Sequence, residues 1–407
     1  MFPAKNMKVS VQDGPVDAKG LKRKVLVAEQ DFAVGDVIYK EEPVVATLDL
    51  DLEGKGTHCS YCLRHIQKGM AIKPEVDRLG SVYCSKDCQV KANVQSQKLL
   101  FSTEPYLPPE LDAGIVGEQN AEAREKAQSE LANFVTSRGK STPLLAARFV
   151  ARQVALETVK MIPGQSDHAA LPKVCEEGND YGLYDHIERL RFVEATVDEN
   201  EVNMLREVFK TALPGLETAV NEEQYNLWKG KMLYNVFGVC YNGGRDDKPP
   251  STERPEDQER TRTPYGTSKQ VGSGFYPVSA YLRHSCSPTA RPSFSTGTSE
   301  LHLVASTPIK KGDELTVSYV DTAQHPDESA DDARRRRRQE LARGWRFKCE
   351  CARCLEELQT ADVAAELAEF GVERDESKVE RTAERLAQGA AFPAAPTGAA
   401  DASMGPD

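Results

Sequence analysis

Nowhere in this 407-residue chain does an apolar run approach the roughly 18 residues that cross a bilayer, and the opening MFPAKNMKVSVQDG lacks the apolar core of a secretory signal. No membrane span is expected, and an intracellular location is. Basic excess is missing too: 52 Lys and Arg face 63 Asp and Glu, a net charge of −11. A duplex surface repels that balance, so direct nucleic-acid binding is not expected, whereas basic protein partners suit it. Residues 243–270 (GGRDDKPPSTERPEDQERTRTPYGTSKQ) contain no Val, Ile, Leu, Met or Phe and one aromatic, Tyr265. With so little apolar surface to bury, this segment reads as a disordered insertion. Against these absences stands an ordinary globular composition, 39% hydrophobic and 28% charged, over a length that suits two or three domains.

Ten cysteines in a chain without a secretory signal read as metal ligands rather than disulfides. Cys59 and Cys62 form one knuckle (HCSYCLRH), Cys84 and Cys88 a second (VYCSKDCQ). Two such knuckles place four thiolates around one tetrahedral Zn²⁺ and leave no open coordination position, so the site is structural. His58 and His65 flank the first knuckle and could substitute for a ligand. A tighter group, Cys349, Cys351 and Cys354 (FKCECARC), supplies three thiolates and needs a fourth ligand from elsewhere. Cys175, Cys240 and Cys286 remain. Cys286 is the one in a short polar motif, YLRHSCSP, but spacing does not choose among the three.

Residues 24–48 show β-branched runs broken at Gly35-Asp36 and Pro43, a strand–turn–strand pattern. Helical apolar spacing recurs over 120–162 and 184–238, as at Leu205, Val208 and Phe209. Strands are expected again at 300–305 (ELHLVA) and 314–320 (ELTVSYV), and a last helix near 356–388 ahead of a mobile tail. The run Arg334 to Arg338 reads as a solvated basic helix face, with a nuclear localisation signal or an acidic-partner contact as the sharper alternatives.

Three stretches carry a resemblance: GFYPVSAYLRHSCSPTARPSF, LHLVASTPIKKGDELTVSYVD and RGWRFKCECARC. Together they resemble the SET domain and post-SET segment of SET-and-MYND (SMYD-type) protein lysine methyltransferases, over about residues 18–356. The implied fold class is α+β: a β-rich split SET domain with an inserted zinc finger, a helical insertion, a post-SET zinc segment and a short C-terminal helix. The first SET part is expected at 18–50, a MYND-like finger at 51–100 and the helical insertion at 101–230. The core SET domain follows at 231–322, with 243–270 as its disordered insertion. The basic helix and post-SET segment occupy 323–356, the C-terminal helix and disordered tail 357–407. Residues 63–83 hold no Cys, so only one of the two zinc sites of a full MYND finger is expected.

The resemblance implies S-adenosylmethionine as cofactor, two structural Zn²⁺ and a protein substrate carrying the target lysine, a histone or another protein. It implies a monomer in the nucleus or cytoplasm. It completes the post-SET triad with Cys286, makes Tyr319 the catalytic tyrosine, and assigns Asn235, Arg283, His284 and Phe347 to the cofactor. Tyr276, Tyr319, Trp345 and Phe347 are the expected lysine channel. Three residues depart from the family pattern: Arg283 replaces an Asn before His284, Lys24 stands where a glycine is expected, and Trp345 replaces a tyrosine. These departures support an alternative, a catalytically degenerate scaffold or interaction module.

Overall fold

The computed structural model describes residues 2–16, 22–106, 118–161, 183–195, 199–251, 253–255 and 257–358. The β-branched run KVLVA forms the end of β2 (Lys22–Ala28), which pairs antiparallel with β1 (Val9–Val16) and is buried from Val25 to Ala28. Gly35, at φ 90°, turns the chain into β3 (Val37–Glu41), and β4 (Val45–Leu48) follows Pro43. Neither strand finds its partner nearby in sequence. β3 pairs with β9 (Leu301–Ala305), whose other edge carries β8 (Ala290–Ser293). β4 pairs with β6 (Gly272–Phe275), flanked in turn by β5 (Phe237–Val239). Both sheets, of order β3-β9-β8 and β4-β6-β5, thus join an early strand to two late ones. That is the split domain expected from the motif order. The approach of β6 to β4 is tight: a Cβ at Gly272 would lie 2.3 Å from the Thr47 carbonyl oxygen, so the position requires glycine.

The intervening chain builds the finger and the helices. α1 (Lys86–Ala92), capped by the Ser85 hydroxyl, continues through a π turn at Asn93–Gln97 into α2 (Lys98–Phe101). Gly139, at φ 64°, splits the single helical stretch read at 120–162 into α3 (Glu118–Arg138) and α4 (Ser141–Met161). Then come α5 (Leu183–Glu188), α6 (Glu199–Ala212) and α7 (Glu222–Asn235). On α6, Val202, Leu205, Val208, Phe209 and Ala212 share one face and are all buried. Two buried arginines fasten α4 to the sheet: Arg148 donates to the Ala46 carbonyl at 2.8 Å and Arg152 to that of Val44. No described helix is long and apolar enough to cross a membrane.

Two expectations fail. Residues 243–270 are read as disordered, yet among their described residues Arg245, Thr261, Arg262, Thr263 and Gln270 are buried. The composition rule counts the segment's own apolar side chains, whereas this segment is held by polar groups on a pre-existing surface. Gln270 donates to Asp49 at 2.9 Å, Lys248 pairs with Asp49 at 2.6 Å and Arg245 with Asp51. The arginine run is not a solvated face either. It lies in α8 (Ala330–Trp345), where Arg334, Arg337 and Arg338 are buried and Arg335 is exposed. Five consecutive residues go right round a helix with 3.6 residues per turn, so a helix resting on the core must bury part of such a run. Arg337 pairs with Glu357 of α9 (Ala352–Leu358), and Arg336 with Glu328 at 2.8 Å. Buried residues are not displayed to a transport receptor, which removes the basis for the localisation-signal reading. The tail and most of the last expected helix, beyond residue 358, lie outside the described residues.

Glu259 of the 243–270 segment also caps α4, accepting from the Ser141 and Thr142 backbone N–H groups at 2.7 and 2.9 Å. Pro143 has no N–H to satisfy, so this one carboxylate meets the first donors of the helix. Glu259→Ala is expected to lower stability by about 1 kcal/mol in chemical denaturation, whereas an unstructured segment would leave it unchanged.

Candidate active site and metal centres

The site is assembled by a short parallel pair, β7 (Arg283–His284) and β10 (Thr316–Val317). Ser285 N–H donates to the Val317 carbonyl at 3.0 Å, which draws 282–284 alongside Tyr319. The Tyr319 hydroxyl then donates to the Leu282 carbonyl at 2.6 Å, and its backbone N–H donates to His284 Nδ1 at 3.0 Å. Burial pushes Tyr319 up to about 12 and His284 down to about 4. At neutral pH the phenol is therefore a donor and the imidazole is neutral. With Nδ1 accepting, the imidazole proton sits on Nε2, 3.3 Å from Cys286 Sγ. Around Tyr319 the Trp345 ring lies at 5.3 Å and the Phe347 ring at 6.3 Å, and Phe347 is 6.1 Å from His284. Trp345 is buried, its indole N–H bonded to the Tyr234 carbonyl at 2.9 Å.

Asn235 ends α7 beside this group and is buried, but its amide is fully engaged. Nδ2 donates to the Arg191 and Lys231 carbonyls at 2.7 and 2.9 Å, and Oδ1 accepts from Arg262 Nη2 at 2.7 Å. The Arg262 guanidinium lies in the middle of the site, 4.2 Å from the centre of the Tyr319 ring. Nearby Lys231 donates to the Ile187 carbonyl at 3.0 Å, and burial pushes it down to about 7. Arg283, expected at the cofactor, sits apart, and so does Lys24, which with its neighbours stands where the family has a glycine. Arg283 projects to the surface, 45% exposed, where it pairs with Glu314 at 3.3 Å. Lys24 is exposed opposite Asp13 on β1, at 2.8 Å. Tyr276, expected in the channel, is instead a core residue: its hydroxyl donates to the Ser299 carbonyl at 2.6 Å and its ring packs on Phe237 and Phe294. Both faces of β6 and the chain after it are buried, which leaves this ring in the core.

Both cysteine groups close into clusters whose sulfurs all lie within 4.8 Å of one another: Cys59, Cys62, Cys84 and Cys88, and Cys286, Cys349, Cys351 and Cys354. Four sulfurs at about 2.3 Å from a tetrahedral ion would be about 3.8 Å apart. Here Cys62–Cys84 and Cys84–Cys88 are 3.6 Å, Cys286–Cys349 3.9 Å and Cys286–Cys354 3.5 Å. Each cluster is thus able to hold one such ion. The choice that spacing left open falls to Cys286, while Cys240 is a separate free thiol and Cys175 lies outside the described residues. His58 and His65 pack edge-to-face on each other at 5.3 Å rather than joining the first cluster. The finger is fixed to the sheet region by Tyr241, which donates to the Leu63 carbonyl at 2.7 Å, and by Ser299 N–H, which donates to that of Cys62 at 2.8 Å.

The SET domain family profile matches residues 23–320, a span that holds both halves of the rejoined sheets and ends one residue after Tyr319. The chain belongs to the SET domain family. Among the relatives of this SET protein is a SET and MYND domain-containing protein of Dictyostelium discoideum, 24% identical over 334 residues, or 79% of this chain and 78% of that one. The protein-lysine N-trimethyltransferase SMYD5 of Danio rerio is 35% identical over 95 residues, 23% of this chain and 22% of that protein. The histone-lysine N-methyltransferase SET5 of Saccharomyces cerevisiae is 25% identical over 369 residues, 86% of this chain and 63% of that protein. The chain therefore spans less than two thirds of the length of the latter two. The SET-and-MYND type expected from the order of motifs agrees with these relatives.

Two residues of the site escaped the sequence reading. Arg262 carried no signal, being one arginine in a polar stretch. Glu41 was findable, because strand alternation puts it on the same face as Tyr39. Buried at the end of β3, it accepts from Val278 N–H at 2.7 Å and from Ser279 N–H at 2.9 Å, and so pins the turn that leads to Ala280 and Leu282.

Burial pushes Glu41 up to about 7 from an ordinary 4.5. A carboxyl raised on folding contributes stability that is complete below about 4.5 and lost as pH rises through 7. Glu41→Gln is expected to flatten that part of the stability–pH curve in denaturation at a series of pH values. In the second cluster, Cys286→Ser is expected to lower bound metal from two ions per chain to one by atomic absorption; unchanged content would remove Cys286 from the ligand set.

Proposed function

We propose that this SET-domain chain is an S-adenosylmethionine-dependent protein-lysine N-methyltransferase acting on a lysine of a histone or another protein. The observation that carries the reading is the Tyr319 hydroxyl, protonated and bonded to the Leu282 carbonyl inside the enclosure of His284, Trp345 and Phe347. A lysine in water has a pKa near 10.4 and holds its proton. Rings that strip it of water disfavour the ammonium, as does any fixed positive charge nearby, so the pocket favours the neutral amine. The Leu282 carbonyl and the Tyr319 oxygen offer acceptors for orientation through weak C–H···O contacts, without a covalent intermediate on the protein.

The cofactor, when bound, would supply an electrophilic methyl group on a sulfonium. Asn235, Arg283, His284 and Phe347 are the residues we assign to hold it. His284 and Phe347 line the enclosure as that role needs, Arg283 reaches the site only by leaving Glu314, and Asn235 only by leaving Arg262. Zinc is the ion we assign to both clusters. Four thiolates leave it no open position, so its part is structural: the second cluster fastens the segment bearing Trp345 and Phe347 over Tyr319. The same reading makes the protein a monomer of the nucleus or cytoplasm. One observation favours a second reading, a degenerate scaffold: the Arg262 guanidinium sits where chemistry would occur.

Labelled methyl transfer from S-adenosylmethionine to a mixed lysine-peptide array is expected with wild-type protein, falling at least about 100-fold in Tyr319→Phe. Equal transfer by the two proteins would remove Tyr319 from catalysis. Folded, doubly metallated protein that neither binds millimolar cofactor by calorimetry nor labels any peptide, in wild-type and Arg262→Ala forms alike, would establish the scaffold instead.

A further inference from the structure

Residues 261–263 lie beside β5, joined to it by one parallel bridge between Arg262 and Phe237. Arg262 N–H donates to the Val236 carbonyl at 2.8 Å, Gly238 N–H donates to the Arg262 carbonyl at 3.3 Å, and on the other side Thr263 N–H donates to the Tyr319 carbonyl at 3.2 Å. The segment therefore fills the gap between β5 and the residue proposed for catalysis. Its approach is close: a Cβ at Gly238 would come 2.8 Å from Thr261 Oγ1. From this segment the Arg262 side chain enters the site and takes up its acceptors one by one. Nε donates to the Tyr234 carbonyl at 3.0 Å, Nη1 to Ala280 at 3.0 Å and to Leu282 at 3.5 Å, and Nη2 to Asn235 Oδ1 at 2.7 Å. The Leu282 carbonyl is the one the Tyr319 hydroxyl uses, and the guanidinium carbon stands 4.2 Å from that ring's centre.

The electrostatics are unusual for a structural arginine. Arg262 is 1% exposed, and among the described residues no carboxylate pairs with it; its charged neighbour is another cation, Arg191. A buried charge without a counter-ion is costly unless its surroundings are built to receive a cation. Here three backbone carbonyls, an amide oxygen and an aromatic face converge on one point, which is the chemistry of a pocket for a long cationic side chain. The segment that delivers it is polar and is fastened at its flanks by ion pairs: Arg245 to Asp51, Lys248 to Asp49, and Lys140 to Glu253.

We propose that the segment around Arg262 is an internal pseudosubstrate: it occupies the acceptor cleft, its guanidinium fills the place of the target side chain, and it must withdraw before methyl transfer. The inference rests on the methyltransferase reading and deepens it. It also describes the acceptor, a lysine on an extended strand that runs parallel to β5 with small polar residues on either side, as Thr261 and Thr263 flank Arg262 here. Withdrawal releases the Asn235 amide oxygen, the group that reading assigns to the cofactor. Because the plug is a cation at the point of transfer, it opposes the sulfonium of S-adenosylmethionine more than the neutral thioether of S-adenosylhomocysteine.

The test compares wild type with Arg262→Ala, Arg262→Gln and Arg262→Lys, each checked for two bound metal ions and cooperative melting, with both cofactor forms titrated by calorimetry and transfer to a lysine peptide followed. Arg262→Ala and Arg262→Gln are expected to bind S-adenosylmethionine at least about tenfold tighter than wild type, with a smaller gain for S-adenosylhomocysteine, and to transfer faster; Arg262→Lys, which keeps the charge but puts an amine where the guanidinium stands, should stay near wild type in affinity and itself become labelled. If Arg262→Ala does not fold, Arg262→Gln, which retains a donor for the carbonyls, decides. Wild-type affinity and rate in a folded Arg262→Gln would overturn the plug and leave the methyltransferase standing. Absence of binding and transfer in every folded form would overturn both.

Discussion

Cys286 belongs to two structures at once, the motif that lines the site and the thiol cluster that gathers Cys349, Cys351 and Cys354. Its sulfur is within 4 Å of two of those thiols, its backbone N–H faces Cys351 Sγ at 3.4 Å, and its carbonyl accepts from Arg353 at 3.2 Å. Two residues earlier, His284 faces the same sulfur with one ring nitrogen and accepts the Tyr319 backbone N–H with the other. A metal-bound thiolate would fix the tautomer of that imidazole, and the imidazole in turn fixes the backbone that aims the Tyr319 hydroxyl. Trp345 and Phe347, which enclose Tyr319, precede the thiols in the same segment. A metal held by this cluster would therefore position the site rather than serve as a separate anchor.

A second theme is the use of guanidinium groups as ties between elements distant in sequence. Arg148 and Arg152 join α4 to β4 and the residue before it, and Arg124 joins α3 to α2 and the chain after it through the Lys98 and Glu104 carbonyls at 3.0 and 2.7 Å. Arg353 joins α9 to Cys286 and Thr322. Each uses the planar fork of donors on backbone carbonyls left over at strand edges and helix ends, so that burial of the charge is offset locally. Arg262 follows the same rule with a different set of acceptors, those of the site itself. What distinguishes it is that its acceptors are the groups a substrate and cofactor would need.

Much of this was legible in the chain. The strand–turn–strand over residues 24–48, the amphipathic face of α6 and the two thiol knuckles depend on local spacing, which survives in the fold, while the order of the SET motifs rests on resemblance to the family. The failures share a cause. Disorder of 243–270 was inferred from the absence of apolar side chains, yet that segment is stabilised by Asp49, Asp51 and the first turn of α4, all far away in sequence. The arginine run was read as solvated because charge is usually exposed, yet its helix lies on the core and meets Glu328 and Glu357 there. Tyr276 was placed in the channel by the family resemblance, whereas its hydroxyl bonds to the Ser299 carbonyl in the core.

By itself, then, the sequence determined the strand–turn–strand over 24–48, the strand at 300–305, the amphipathic helix α6 and the cysteine knuckles, because each rests on periodicity or on neighbours a few positions apart, while the motif around Tyr319 came from the family resemblance. Only the tertiary structure decided that Arg283 turns outward to Glu314 and that Arg262 stands in the site, and it brought Cys286, which spacing left open and the resemblance assigned, into the second cluster. Those three outcomes depend on which surfaces meet when β4 pairs with β6 and β7 with β10. Such long-range pairings join groups whose separation along the chain carries no information about their distance in space.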